Sequence, residues 1–191
     1  MKKKIQKKRY ELGEIKLGDS VYVSDPCYAI GTWCQALLVG VVPGYYRAFV
    51  NKAKTDWYER ISDLWVVLDE EILDNGAKFP TELVECHHMG VDSGMCGIFD
   101  ESYYKHFHTS EGVDDSWYDM VCDKTSNVNV GSTMDGVCAF SATGFGDGGY
   151  DLYIKRNDEG KIVALGVQYL EDDYEWDEEY EIRPEKIERD S

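Results

Sequence analysis

Residues 150–170 read "YDLYIKRNDEGKIVALGVQYL", and this stretch decides the fold class. Two runs rich in β-branched and aromatic residues flank the four-residue group "NDEG" (157–160). Asn, Asp and Gly supply the backbone conformations that a reversal needs, so the stretch predicts a β-hairpin. Upstream segments have the same character: "SVYVSD" (20–25), "QALLVGVV" (35–42), "YYRAFVNKA" (45–53), "DLWVVLD" (63–69) and "TELVECHHMG" (81–90). Each is short, apolar or alternating, and closed by turn residues, so each predicts a strand. Two segments predict helices. "DESYYKHFH" (100–108) opens on an aspartate suited to capping, and "DDSWYDMVCDKTS" (114–126) places Trp117, Val121 and Cys122 on one face behind acidic residues. The order of strands, two short helices, then strands predicts an α+β domain, mainly antiparallel, built as a sandwich or a strongly curved sheet.

The 191 residues suit one domain with tails. A basic arm is expected at 1–9, a globular body at 10–172 and an acidic tail at 173–191, with "EYEIRP" as a strand-like piece inside the tail. The arm carries six basic groups and residues 171–191 carry a net −8; since the chain is −17 in all, −15 is left for the body. Such a surface repels phosphate backbones, so nucleic acid is not an expected partner; an acidic body instead suits a protein or small-molecule partner, or imitation of nucleic acid itself. No run of 18 apolar residues occurs, so no membrane partner is expected. The basic start lacks an apolar stretch behind it, so no secretory leader is expected and the cytoplasm is the expected compartment. Six cysteines, none in a C-x-x-C pair, are then expected as reduced thiols, with Cys27–Cys34 the disulfide to look for in an exported chain.

Several groups of residues are candidates for chemistry. His87, His88, His106 and His108 cluster near Cys86 and Cys96, but their spacing fits no common zinc finger or ribbon. Cys34 and Cys96 are the candidate nucleophiles, with His87 or His88 as base. No P-loop, G-x-S-x-G or G-x-G-x-x-G occurs. Aspartates in glycine-rich turns remain: Asp25 before Pro26, Asp92 in "VDSG", Asp100 in "GIFD" and Asp147 in "GDGG". Carboxylates on such loops can hold a hard divalent cation or orient a ligand; they also simply build turns. The expected ligand site is Asp25, Asp92, Gly94, Asp147 and Gly148, walled by Trp117 and Tyr150 with Phe145. Asp25, Asp92 and Asp147 are its metal candidates, and no other cofactor is expected. The loops "VDSG" and "FGDGG" are expected to meet at one concave surface.

Four stretches resemble a bacterial and phage family, domain of unknown function 4241: "SDPCY" (24–28), "VPGYYRAFV" (42–50), "GVDSGMCGIFD" (90–100) and "SATGFGDGGYDLY" (141–153). The likeness covers about residues 18–170. Asp151 stands where the family usually has proline. The resemblance implies a fold and a motif map, and no reaction. The function expected is a non-catalytic binding or interaction module, with an accessory, immunity or counter-defence role implied by the family's occurrence. The alternatives are a metal-dependent hydrolase using the loop aspartates, and an acidic nucleic-acid mimic.

Overall fold

The hairpin is present. In the computed structural model, which describes residues 7–54, 59–128 and 130–170 (without the side chains of 85–88 and 127–128), β10 (Gly148–Arg156) and β11 (Ile162–Gln168) pair antiparallel, Leu152 opposite Val167. Asn157 builds the reversal: its side-chain oxygen accepts from the amides of Glu159 and Lys161, both at 3.0 Å, and Gly160 takes a positive φ of 77°.

The hairpin lies inside a six-stranded antiparallel sheet. Its other strands are β1 (Lys7–Leu17), β4 (Gly44–Lys54), β5 (Glu59–Leu68) and β6 (Glu82–Val91), in the order β1-β4-β5-β11-β10-β6. A second, five-stranded sheet has the order β3-β2-β7-β9-β8, from β2 (Ser20–Ser24), β3 (Ala36–Val39), β7 (Met95–Asp100), β8 (Ser132–Met134) and β9 (Cys138–Ala142). The largest core cluster draws on both sheets: Leu64, Val66, Leu152 and Leu165 from the first, Val21, Val23, Ile98 and Ala139 from the second. The two sheets therefore pack as the expected sandwich, and the class is α+β, mainly antiparallel.

Helices cover the outer faces. Phe49, Trp65 and Val67 point away from the sandwich core and are covered by Phe79 and by Ile72 of α1 (Asp69–Asn75). On the second sheet, Tyr22, Phe99 and Phe140 are covered by α2 (Glu101–Phe107) and α3 (Asp115–Val128), through Tyr104, Trp117 and Val121. Central strands buried on both faces lose their alternation, which is why "DLWVVLD" reads as an unbroken apolar run. Both expected helices start as anticipated. Asp100 accepts from the amides of Ser102 and Tyr103, and Asp114 from the amide of Trp117 at 2.8 Å.

Three expectations change. The boundary drawn between residues 9 and 10 falls inside β1, whose Lys7 stands opposite Ala53. Lys7 pairs with buried Asp63 at 3.6 Å, and Arg9 donates to the carbonyl of Ala77 and lies 4.8 Å over the Trp65 ring. Basic side chains can thus belong to a strand when their stems cover aromatic surface. Second, "GVDSGMCGIFD" is not one loop. Only Asp92–Gly94 turns; Met95–Asp100 is β7, at the centre of the second sheet. Gly97 suggested a turn, but a Cβ there would lie 2.3 Å from the Phe99 ring, so the missing side chain makes room for an aromatic ring. Third, α1, β8 and β9 are additional elements. The acidic tail at 173–191, with "EYEIRP", and residues 1–6 lie outside the described residues.

Candidate functional site

Asp25 directly follows β2 and is fully buried. Its Oδ1 accepts from the Cys27 amide (2.8 Å) and the Ser93 hydroxyl (2.6 Å), and its Oδ2 from the amides of Asp92 (2.8 Å) and Ser93 (2.7 Å). A carboxylate has about four acceptor positions, and all four are taken by the chain itself. Asp25 is therefore a latch joining the "SDPCY" segment to the "VDSG" turn. It has no oxygen left to face a cation, so the expected three-aspartate metal set loses this member.

The latch is braced from below. Ser24 Oγ accepts from Gln35 Nε2 at 3.0 Å and from the Tyr104 hydroxyl at 3.1 Å, while Tyr104 stacks on His108 with ring centroids 3.6 Å apart. His108 is buried with Nε2 3.0 Å from the Pro26 carbonyl and Nδ1 2.9 Å from the Tyr104 carbonyl. Burial lowers its pKa, the two carbonyls acting in the opposite sense. A neutral ring has one N–H to give, so it donates to only one of them.

From the latch the chain enters a tight turn at 28–35. The amides of Tyr28, Thr32 and Gln35 bond to the carbonyls of Asp25, Ala29 and Thr32. Gly90 of β6 donates to the Cys34 carbonyl at 3.1 Å, and a Cβ on Gly90 would lie 2.6 Å from Cys34 Sγ. The turn thus sits directly on bare backbone, which explains glycine in "GVDSG". It holds Trp33 out with 88% of its surface exposed.

The two glycine-rich loops meet beside this turn. Val91 pairs with Gly148 and Gly90 with Gly149 across β6 and β10, and Thr143 donates its amide to the Gly94 carbonyl at 2.9 Å. A Cβ on Gly94 would be 3.8 Å from the Gly146 Cα and 4.0 Å from Asp147 Oδ1. Asp92 and Asp147 are exposed, and both line one open cleft of about 490 Å³. Tyr28, Thr32, Trp33 and Cys34 of the turn line it as well, together with Gly148 and Gly149.

The cleft is framed by the motifs singled out in the sequence. Residues 77–167 match the model of a family described as Protein of unknown function (DUF4241). This span is similar to the DUF4241 family. Comparison with curated proteins and with solved structures finds no match. The DUF4241 span holds both glycine loops, β6, β7 and β10, whereas "SDPCY" and "VPGYYRAFV" precede it. The cleft is thus completed by a turn from outside the matched span, docked through Asp25 and Gly90.

Other expected site residues lie elsewhere. Trp117 is buried among Phe99, Tyr103 and Phe107, its indole N–H donating to the Tyr103 hydroxyl at 3.0 Å, and it does not line the cleft. Tyr150 faces the sandwich core; its hydroxyl donates to the Gly146 carbonyl at 2.5 Å and so shapes the loop from beneath. Phe145 is exposed under the Arg60 guanidinium, 4.6 Å from its ring centroid. The aromatic wall is instead Trp33 and Tyr28. The sequence signal for Trp33 was a large aromatic inside the turn-forming "IGTWCQ", outside any strand pattern.

Among the described residues, no group of three or more His, Cys, Asp or Glu is placed to hold a metal. The side chains of Cys86, His87 and His88 lie outside the described residues. Cys27, Cys34, Cys96, Cys122 and Cys138 are free thiols, so Cys27 and Cys34 are not joined. Burial pushes the Cys96 thiol up to about 12, which withholds the thiolate a nucleophile needs. Cys34 lies buried beneath the turn, against Tyr28. The Tyr28 hydroxyl is itself pushed well up, chiefly by burial and then by hydrogen bonds with Cys34 and Asp92. It stays protonated. No helix among the described residues is long and apolar enough to cross a membrane.

Proposed function

We propose that the chain is a binding module whose small-molecule ligand sits in the cleft between the 28–35 turn and the two glycine loops. One observation carries the reading. Trp33 is held almost fully exposed on an internally hydrogen-bonded turn, over a cleft that also presents Asp92 and Asp147. An exposed indole forfeits hydrophobic burial, and a contiguous aromatic and polar concavity is the usual form of a ligand site. The volume, about 490 Å³, falls in the range of small-molecule pockets. Binding is favoured over metal-assisted hydrolysis because Asp25, the third carboxylate that reading needs, spends all its acceptor positions on the chain itself.

The test is a thermal-shift panel of divalent metals, nucleotides, cyclic nucleotides, sugars and amines on the full chain and on Trp33→Ala. A ligand at about 100 times its dissociation constant adds about 2.7 kcal/mol to the folded state. The expected result is a shift by at least one compound class that is lost in Trp33→Ala. A panel whose shifts are the same in both proteins refutes the proposal.

A further inference from the structure

We infer that the cleft takes a small organic cation, a protonated amine or guanidine, seated between the Trp33 indole and the carboxylates of Asp92 and Asp147. The inference rests on the cleft being the binding site proposed above, and it names the ligand's chemistry.

The lining decides the sign of charge. Among the described residues it presents two carboxylates and no Lys, Arg or His. An anionic ligand would meet repulsion with nothing to offset it, whereas a cation meets two charged acceptors. The acidic chain, −17 in all, adds a long-range field of the same preference.

The aromatic wall then separates organic from inorganic cations. A hard divalent metal seeks six or more oxygens, usually with several carboxylates. The described lining of the cleft has two carboxylates. An indole face is poorly suited to a strongly hydrated metal. It is the best of the aromatic partners for an ammonium or guanidinium, which keeps its N–H groups for hydrogen bonds while resting on the ring. Gly148 and Gly149 leave bare backbone in the lining, so the body of the ligand can approach closely there. The Asp92 amide is held by Asp25 and Asp147 stands on the loop packed against Gly94, so the backbone carrying the two acceptors is set before the ligand arrives.

The experiment is calorimetric titration of the full chain with three probes, the first and third acetylated on the α-amine: argininamide, spermidine, and citrullinamide, which resembles the first but then carries no charge. Each is repeated on Trp33→Ala and Asp147→Asn, both exposed positions whose replacement leaves the core intact. The expected result is binding of at least one cation, weakened about tenfold or more in each variant, with citrullinamide weaker by a similar factor. Three outcomes overturn the inference. Citrullinamide binds as tightly as argininamide; the cations bind equally well to Asp147→Asn, which assigns them to general surface charge; or neither cation binds at millimolar concentration. If neutral compounds of the thermal-shift panel still need Trp33, the cleft stands as a binding site and only its cationic specificity falls. If nothing in either experiment needs Trp33, both fall together.

Discussion

Replacing Asp25 by alanine removes the acceptor of four hydrogen bonds in one step. Bonds to a charged partner contribute about 1.5–3 kcal/mol each, so simple addition would give about 6–12 kcal/mol. That sum overshoots, because bonds sharing one carboxylate are not independent. The donors at Cys27, Asp92 and Ser93 are also only partly buried, so water can reach some of them once the carboxylate has gone. The expected loss is about 4 kcal/mol, which is exceptional for a single substitution. For a domain of this size it lowers the melting temperature by roughly 8–16 °C. Asparagine supplies the finer test. Its oxygen can keep the amides of Asp92 and Ser93 while its NH2 group faces Cys27 N–H and the Ser93 hydroxyl, which can turn to accept. One donor is then opposed rather than satisfied, and the cost falls to about 2 kcal/mol. Urea unfolding gives both values, and amide hydrogen exchange at Asp92 and Ser93 shows whether the latch has opened. An alanine variant within about 1 kcal/mol of the parent, with those amides still protected, refutes the latch; so does an asparagine variant as damaging as alanine.

Two further outcomes follow from the packing. A chain beginning at residue 10 loses Lys7 and leaves Asp63 buried without that partner, which costs about 3 kcal/mol or more. Calorimetry against a chain beginning at residue 7 checks this, and equal melting temperatures would show that the first turn of β1 contributes nothing. Alkaline pH should destabilise the protein. Burial raises the Cys96 and Cys138 thiols from 9.0 to about 12, so above pH 9 the unfolded chain loses their protons before the folded chain does. Fewer protons bound in the unfolded state means stability falls as pH rises, by up to about 1.4 kcal/mol per pH unit for each thiol between pH 9 and 12. Urea midpoints at pH 8, 9.5 and 11 read the slope; a flat profile contradicts it, and Cys96→Ala should make it shallower.

Features that depend on near neighbours are legible in the chain's local pattern. Asn157 and Gly160 make the β10–β11 reversal within five residues, and Asp100 and Asp114 cap helices two or three residues ahead. Backbone donors and acceptors at such range are satisfied whatever the rest of the chain does, so the local pattern suffices to predict them. The tertiary structure decided the roles of residues whose partners lie far along the chain. Asp25 finds Asp92 at a separation of 67 residues, and Arg9 finds Ala77 at 68. Turn chemistry alone could not tell the latched Asp25 from the exposed Asp92 and Asp147, since all three lie within two residues of proline or glycine. Gly97 looked like a turn residue because a missing side chain has the same signature whether it frees φ or makes room for a ring. Trp117 and Trp33 carry the same indole, and helical packing buries one while a turn resting on Gly90 exposes the other. Burial belongs to the assembled sheets, because it depends on which surfaces pack together and not on the residue type that supplies them.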